Sequence, residues 1–322
     1  MKKMLFCAVA AIVALASCSK THVVYNDAPQ EIAFKQISGV MTKAETSSLI
    51  GTMGVFAYTV TSPNVYFGNT SFSQSGEVWV ANPSLYYPIQ GQLDFAYYAP
   101  YAENWTWNGS TTMTSPKMSD IKNIDVLYGK SIKRSAKKQE ALDVTLAHAL
   151  AQITVNVQSD ANSKDLITIN SVIISQTKIG GKLTVAYTAS NTDESEPYVV
   201  SGASWDQETS TDVTLTNNSF TLSETSAEYG KSFIIAEYGT SGTSYEQGTI
   251  TVNYTMSKDK NSQDTYTGSA TFDLSPDSGT QVYWYMGKNY IYNITATLTE
   301  IKFNSLVENL ELTPAGGTAV TL

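Results

Sequence analysis

The segment NYIYNITATLTEIKF, residues 289–303, sets Tyr290, Tyr292, Ile294, Ala296 and Leu298 at every second position. Ile301 and Phe303 then take the opposite parity. A period of two marks a strand with one buried face, and a change of parity marks a turn or bulge between strands. Similar short runs fill the chain: GVFAYTV, VYFG, EVWVA, LDFAYYAPY and IDVLYG in the first half. LITINSVIIS, GKLTVAYT, DVTLT, KSFIIAEY, GTITVNYTMS and GSATFDL follow in the second. Polar turns such as SNTDESEP and SKDKNSQDT separate several of them. Many short strands at this spacing predict an antiparallel sandwich or barrel, not a parallel α/β sheet. No internal repeat and no coiled-coil heptad is present.

The 322 residues suggest two domains. KSIKRSAKKQE, residues 130–140, is a short basic connector holding the chain's only arginine, Arg134. The predicted division is therefore an N-terminal domain over 31–140 and a C-terminal domain over 141–322. In ALDVTLAHALAQITVNVQ, Val144, Leu146 and His148 share one parity, while Ile153, Val155 and Val157 share the other. The buried face must switch across AHALAQ by a bulge, a kink or one helical turn. NGSTTMTSPKMSD, residues 108–120, reads as a loop.

The first residues read as a processing segment. Lys2 and Lys3 precede a short apolar run, and LASC, Leu15 to Cys18, matches a bacterial lipoprotein box. Residues 1–17 are then a signal peptide, Cys18 takes the lipid, and 18–30 form a tether. Cys7 and Cys18 are the only cysteines. With Cys7 removed and Cys18 acylated, no thiol nucleophile, disulfide or thiolate-bound metal is expected.

Candidate chemistry is sparse. A net charge of −9 offers nucleic acid no basic face. Of two histidines, His22 lies in the tether, and His148 reads as a hydrogen-bonded strand residue. A catalytic triad has at most one plausible base, and a zinc site cannot be assembled from so few imidazoles. SKDKNSQDT lacks the spacing of a calcium loop, and no glycine-rich phosphate loop joins a strand to a helix. Paired carboxylates for glycoside cleavage leave no sequence signature. Trp105 and Trp107 in NWTWNG share a face if extended, as a sugar-stacking platform or as core aromatics. We expect no metal, no cofactor and no enzyme.

Motifs along nearly the whole chain resemble the fimbrillins of Bacteroidetes, the subunits of type V pili. They are LASC, the early IAF…TKA, IDVLYG, HALAQITVNV and the late GKNYIYNITATLTEIKFNSLVENL. Two departures are Leu310, where many relatives carry tryptophan, and Lys43, where the usual cleavage residue is arginine. The resemblance implies two transthyretin-like antiparallel β-sandwich domains in tandem. It also implies export as an outer-membrane lipoprotein through Cys18, then cleavage by a trypsin-like surface protease. The first strand is removed, and a C-terminal strand of another fimbrillin subunit fills the groove. The product is a homopolymer or mixed filament serving adhesion at the cell surface.

That expectation falls on EIAFKQISGVMTKAET, residues 31–46. Ile32 and Phe34 would plug the groove until the chain is cut between Lys43 and Ala44. Lys35, a competing site, would be shielded by strand pairing. The donor would come from LVENLELTPAGGTAVTL, with Leu310 and Leu312 on one parity and, beyond Gly316–Gly317, Val320 and Leu322. The alternatives are a frayed C-terminal tail and, for the whole chain, a monomeric glycan-binding surface lipoprotein using Trp105 and Trp107.

Overall fold

The computed structural model describes residues 29–39, 51–61, 64–135, 141–187, 200–216, 220–236, 248–261, 263–274 and 284–309. Among these the regular elements are strands throughout. They are β1 (Ala33–Gly39), β2 (Thr52–Thr59), β3 (Val65–Ser75), β4 (Val78–Ala81), β5 (Leu93–Ala99), β6 (Thr106–Trp107), β7 (Thr112–Thr114), β8 (Leu127–Arg134) and β9 (Leu142–His148). The second half supplies β10 (Leu150–Ser159), β11 (Ile167–Tyr187), β12 (Val200–Leu215), β13 (Phe220–Thr221) and β14 (Ala227–Ile235). It ends with β15 (Thr249–Ser257), β16 (Thr265–Asp273), β17 (Lys288–Ala296) and β18 (Ile301–Asn309).

Seven strands of the first half close on themselves in the order β1-β4-β3-β2-β5-β8-β9. Alternation puts Met53, Val55, Phe72, Trp79, Leu93, Phe95, Tyr97, Val144 and Leu146 inside this barrel, all buried in one apolar cluster. Closure depends on β1, which runs antiparallel to β4 and parallel to β9. In the second half a sheet ordered β14-β10-β17-β18 accompanies one ordered β16-β15-β11-β7-β6, with β12 and β13 on the other edge of β11. Phe272 of β16 stacks on Phe303 of β18 with centroids 5.5 Å apart, bringing the two sheets together at that side.

The two halves share more than a linker. β9 still belongs to the barrel, so the chain crosses over at Ala149, beyond the connector at 130–140 where the sequence suggested a boundary. The expected change of face occurs there, because β9 and β10 lie in different sheets. Ala149 N–H donates to Val126 O at 2.8 Å, and Trp205 Nε1 donates to Ala149 O at 3.0 Å. Residues between β5 and β8 also leave the barrel and run along β11. The N–H groups of Ser115, Met118 and Ile121 donate to the carbonyls of Leu183, Gly181 and Ile179 at 2.8–2.9 Å. Outward-facing Phe56, Tyr98 and Tyr128 of the barrel join the apolar cluster of the second half.

This pairing explains two departures from the sequence reading. Part of the stretch read as a loop is β7, since Thr112–Thr114 pairs with Thr184–Ala186. LITINSVIIS and GKLTVAYT are not two strands but one, β11. Irregularities between Ile174 and Lys182 against β12, with Gln176 at φ 56°, take the place of a turn.

Both ends of the barrel can be assigned from strand direction. At one end lie the ends of β5 and β9 and the start of β8, next to the second half. At the opposite mouth lie the starts of β1, β3 and β5 and the end of β2. The packing of residues 115–121 on β11 generates the first prediction. A Cβ on Gly180 would lie 2.7 Å from Ser119 O and 2.8 Å from Met118 O, both backbone atoms. Gly180→Ala should lower unfolding stability by about 1–3 kcal/mol, read from urea denaturation, whereas the same change at open Gly202 should cost far less.

Candidate functional site

β1 supplies the features expected of a plug. Ile32 and Phe34 are fully buried, while Ala33 and Lys35 between and after them are only partly covered. Their period of two matches the pleat, so both apolar side chains enter the barrel core. Phe34 meets Phe72 and Phe95 edge-on, with centroids 5.2 and 5.5 Å away, and Tyr97 at 6.2 Å. Burying Ile32 and Phe34 contributes roughly 1.5–3 kcal/mol each, with about 0.5–1.5 kcal/mol more for each good aromatic pair.

Backbone pairing holds β1 on both sides. Ala33, Phe34 and Lys35 stand opposite Val80, Trp79 and Val78 of β4. On the other side the register runs from Phe34↔Leu142 to Gly39↔Leu146 of β9, with a shift between Lys35 and Ile37. Before the strand proper, Ile32 N–H donates to Leu85 O at 2.7 Å, and Tyr87 N–H donates to Gln30 O at 2.9 Å. Lys35 is therefore paired on both edges, which shields its peptide bond as the sequence suggested.

The groove behind β1 is apolar with a few satisfied hydroxyls. The Tyr97 and Ser131 hydroxyls share a 3.1 Å hydrogen bond. Burial pushes the Tyr97 phenol above its usual range, and it pushes Tyr87 up to about 12. Both phenols stay neutral at ordinary pH, and the charge nearest to them is the Arg134 guanidinium at the end of β8.

Other predicted residues fall elsewhere. Cys18, Lys43, Ala44, Leu310, Leu312, Val320 and Leu322 lie outside the described residues. Trp105 and Trp107 are only 4% and 5% exposed, which corrects the reading of a sugar-stacking platform. Trp105 stacks on Tyr98 with centroids 3.9 Å apart, and Trp107 meets Tyr58 at 4.7 Å. Both rings serve the joint between the halves. His148 is buried, with Nδ1 3.0 Å from Asp125 Oδ1, a local pair at the same joint. Among the described residues, no group of three or more His, Cys, Asp or Glu side chains could hold a metal ion.

Sequence reasoning found Ile32 and Phe34 but not what surrounds them. Alternation in EVWVA could place Trp79 inward, yet nothing local shows that β4 and β9 are the partners of β1. The parallel β1–β9 pair joins residues about a hundred positions apart, and strand periodicity carries no pairing information.

Sequence and structure together define an all-β protein whose first strand closes a barrel. The fimbrillin-like family model matches residues 40–309, and the chain belongs to that family. The match starts just past β1. No curated protein sequence matches the chain. Among solved structures, the chain is similar to a fimbrial protein from Bacteroides vulgatus, at 15% identity and a TM-score of 0.55. That likeness covers 87% of this chain and 99% of the other. It is equally similar to a proposed cell adhesion protein from Bacteroides uniformis, at 16% identity and a TM-score of 0.55, covering 87% and 98% of the two chains. These likenesses show a shared fold.

Two predictions follow from the packing. Phe34→Ala removes the ring at the centre of the aromatic cluster and should cost about 3–5 kcal/mol, measured by chemical denaturation of the full-length protein. The second concerns Lys130, which lies at the joint with its Nζ 5.3 Å above the Trp107 ring and donating to Ser110 O at 2.6 Å. Burial lowers its pKa to about 8, with Asp94 opposing. The folded state then gives up this proton before the unfolded chain does, so stability should rise between pH 8 and 10, by about 2 kcal/mol. Lys130→Met should flatten that rise in denaturation curves taken across the window.

Proposed function

We propose that the chain is a structural fimbrial subunit that polymerises by exchanging its first strand for a strand of a neighbouring copy. One observation carries the reading: the N-terminal strand β1 links β4 to β9 to complete the barrel, and Phe34 with the preceding Ile32 fills its core. Losing it would expose unpaired N–H and C=O groups along β4 and β9 beside an apolar slot. An incoming strand with alternating apolar residues restores both ladders and refills the slot, which is β-augmentation.

The rest of the pathway follows the family resemblance. The chain is exported as a lipoprotein on Cys18 and reaches the outer membrane surface. A trypsin-like protease then cuts after Lys43, so that Ala44 becomes the new N-terminus and β1 leaves with the lipid. Because Arg134 is the only arginine, the protease must accept lysine. The donor is the C-terminal tail, through Leu310 and Leu312 or through Val320 and Leu322. In this reading both halves are transthyretin-like, with the first a sandwich closed by its removable strand. The filament serves adhesion, and the subunit carries no catalytic centre.

The test is limited trypsin treatment of purified full-length protein, with sequencing of the new N-terminus and electron microscopy of the product. Cleaved protein beginning at Ala44 should form filaments, and Lys43→Gln should remain intact and unassembled. Filaments forming equally well from the uncut Lys43→Gln protein would sink the strand-release mechanism.

A further inference from the structure

Four of the eight exposed large hydrophobic side chains among the described residues gather at the free mouth of the barrel. They are Val65, Tyr66, Tyr86 and Ile89, with Val65 and Ile89 59% and 87% exposed. Val65 and Tyr66 begin β3, and Tyr86 and Ile89 belong to the segment between β4 and β5. Hydrogen bonds hold the two pieces together. Tyr66 OH donates to Tyr86 O at 2.7 Å, and Val60 N–H, in the turn before β3, donates to Gln92 O at 3.0 Å. Single exposed hydrophobics are ordinary, but a patch shared by two loops marks a contact surface.

The loops that carry this patch are uncharged. Between Glu45 and Asp94 the only charged residue is Glu77, and it lies in the turn joining β3 to β4, at the other end of β3. Around the patch, this end of the barrel carries both signs: Glu31, Asp94 and Asp143 with Lys35 and Arg134. Such a surface suits a neutral partner better than a strongly charged one. Apolar loop tips with tyrosines beside them fit the headgroup boundary of a bilayer, where the ring is buried and its hydroxyl stays wet.

Chain connectivity shows what lies in front of the mouth. β1 enters there, since Tyr86 bridges to Glu31 and Tyr87 N–H donates to Gln30 O at 2.9 Å. Pro29, the first described residue, stands eleven positions after Cys18. Even fully extended chain therefore keeps a lipid on Cys18 within about 40 Å of the mouth.

We propose that the precursor, anchored through Cys18, docks this mouth on the lipid bilayer, with Val65, Tyr66, Tyr86 and Ile89 at the headgroup boundary. The partner is the neutral lipid surface. The tether raises the local concentration of that surface, so a patch too small to hold a membrane alone becomes a second attachment. Docking rests on the lipoprotein reading and adds an orientation to it. β1 runs from the mouth to Gly39, opposite Leu146 of β9, so the end of the strand that precedes Lys43 faces away from the bilayer.

The experiment uses lipidated, uncut full-length protein in phosphatidylcholine vesicles. With Cys7 removed and Cys18 acylated, Ile89→Cys provides a single free thiol for an environment-sensitive dye. That dye should shift to the blue and be quenched by doxyl-labelled lipid. The same dye on Tyr266→Cys, in the second half, should report water. Val65→Glu should lower the ratio of docked to undocked protein about tenfold, while the protein still floats with the vesicles. Cys18→Ser protein should need at least about a hundredfold more lipid for the same shift. If lipidated protein floats with the vesicles but the dye at position 89 reports water, docking is wrong and the lipoprotein reading stands. A blue shift that appears without vesicles and grows with protein concentration also overturns docking, because the patch then binds a second copy. If mass spectrometry finds Cys18 unmodified and the protein does not float, both readings fail.

Discussion

The closure of the barrel by β1 is the constraint on which the first half depends. A seven-residue strand joins β4 to β9, and Phe34 brings together rings from β3 and β5. Take it away and the closed sheet acquires two edges next to an apolar gap, a surface that must be covered quickly. The second half has a strand in the corresponding position. β10 is antiparallel to β14 and parallel to β17, just as β1 is antiparallel to β4 and parallel to β9. The difference lies in covalent context. β10 follows β9 directly and carries Ile153, Val155 and Val157 in the larger core, so it cannot leave without unfolding both halves. β1 and the residue before it contribute two apolar anchors to a core whose other members come mostly from the six remaining strands.

The joint matters for the same reason. The two halves are coupled through direct packing and hydrogen bonds. The strap of residues 115–121 on β11, the Trp205–Ala149 hydrogen bond, and the stacked Tyr98 and Trp105 provide that coupling. A cation is also buried there. Lys130 sits between the rings of Trp107 and Tyr187, where desolvation works against its charge and the aromatic faces partly compensate. The tryptophans that looked like a binding platform are thus the mortar between the two halves.

Much of this was legible from particular residues. Ile32 and Phe34, the anchors of the first strand, stand out by their spacing, and so do the parity of Val144, Leu146 and His148 and a change of face somewhere within AHALAQ. The motifs that resemble fimbrillins led to the family that the family model then matched. Other features were not legible for physical reasons. Thr112–Thr114 is polar and short, and it is a strand only because β11 offers an open edge. The long β11 looked like two strands because its turn-like residues are bulges. Burial of Trp105 and Trp107 depends on Tyr58 and Tyr98, which belong to different strands of the barrel.

The sequence by itself therefore determined the local geometry: strand periodicity, the plug-like pattern of EIAF, and the family. It did so because alternation and turn chemistry act over a few residues. Only the tertiary structure decided that β1 lies between β4 and β9, that the crossover falls at Ala149, and which aromatic rings face water. Those outcomes depend on pairing between residues tens to hundreds of positions apart. A strand's own side chains specify which face it buries, but they leave its partners open.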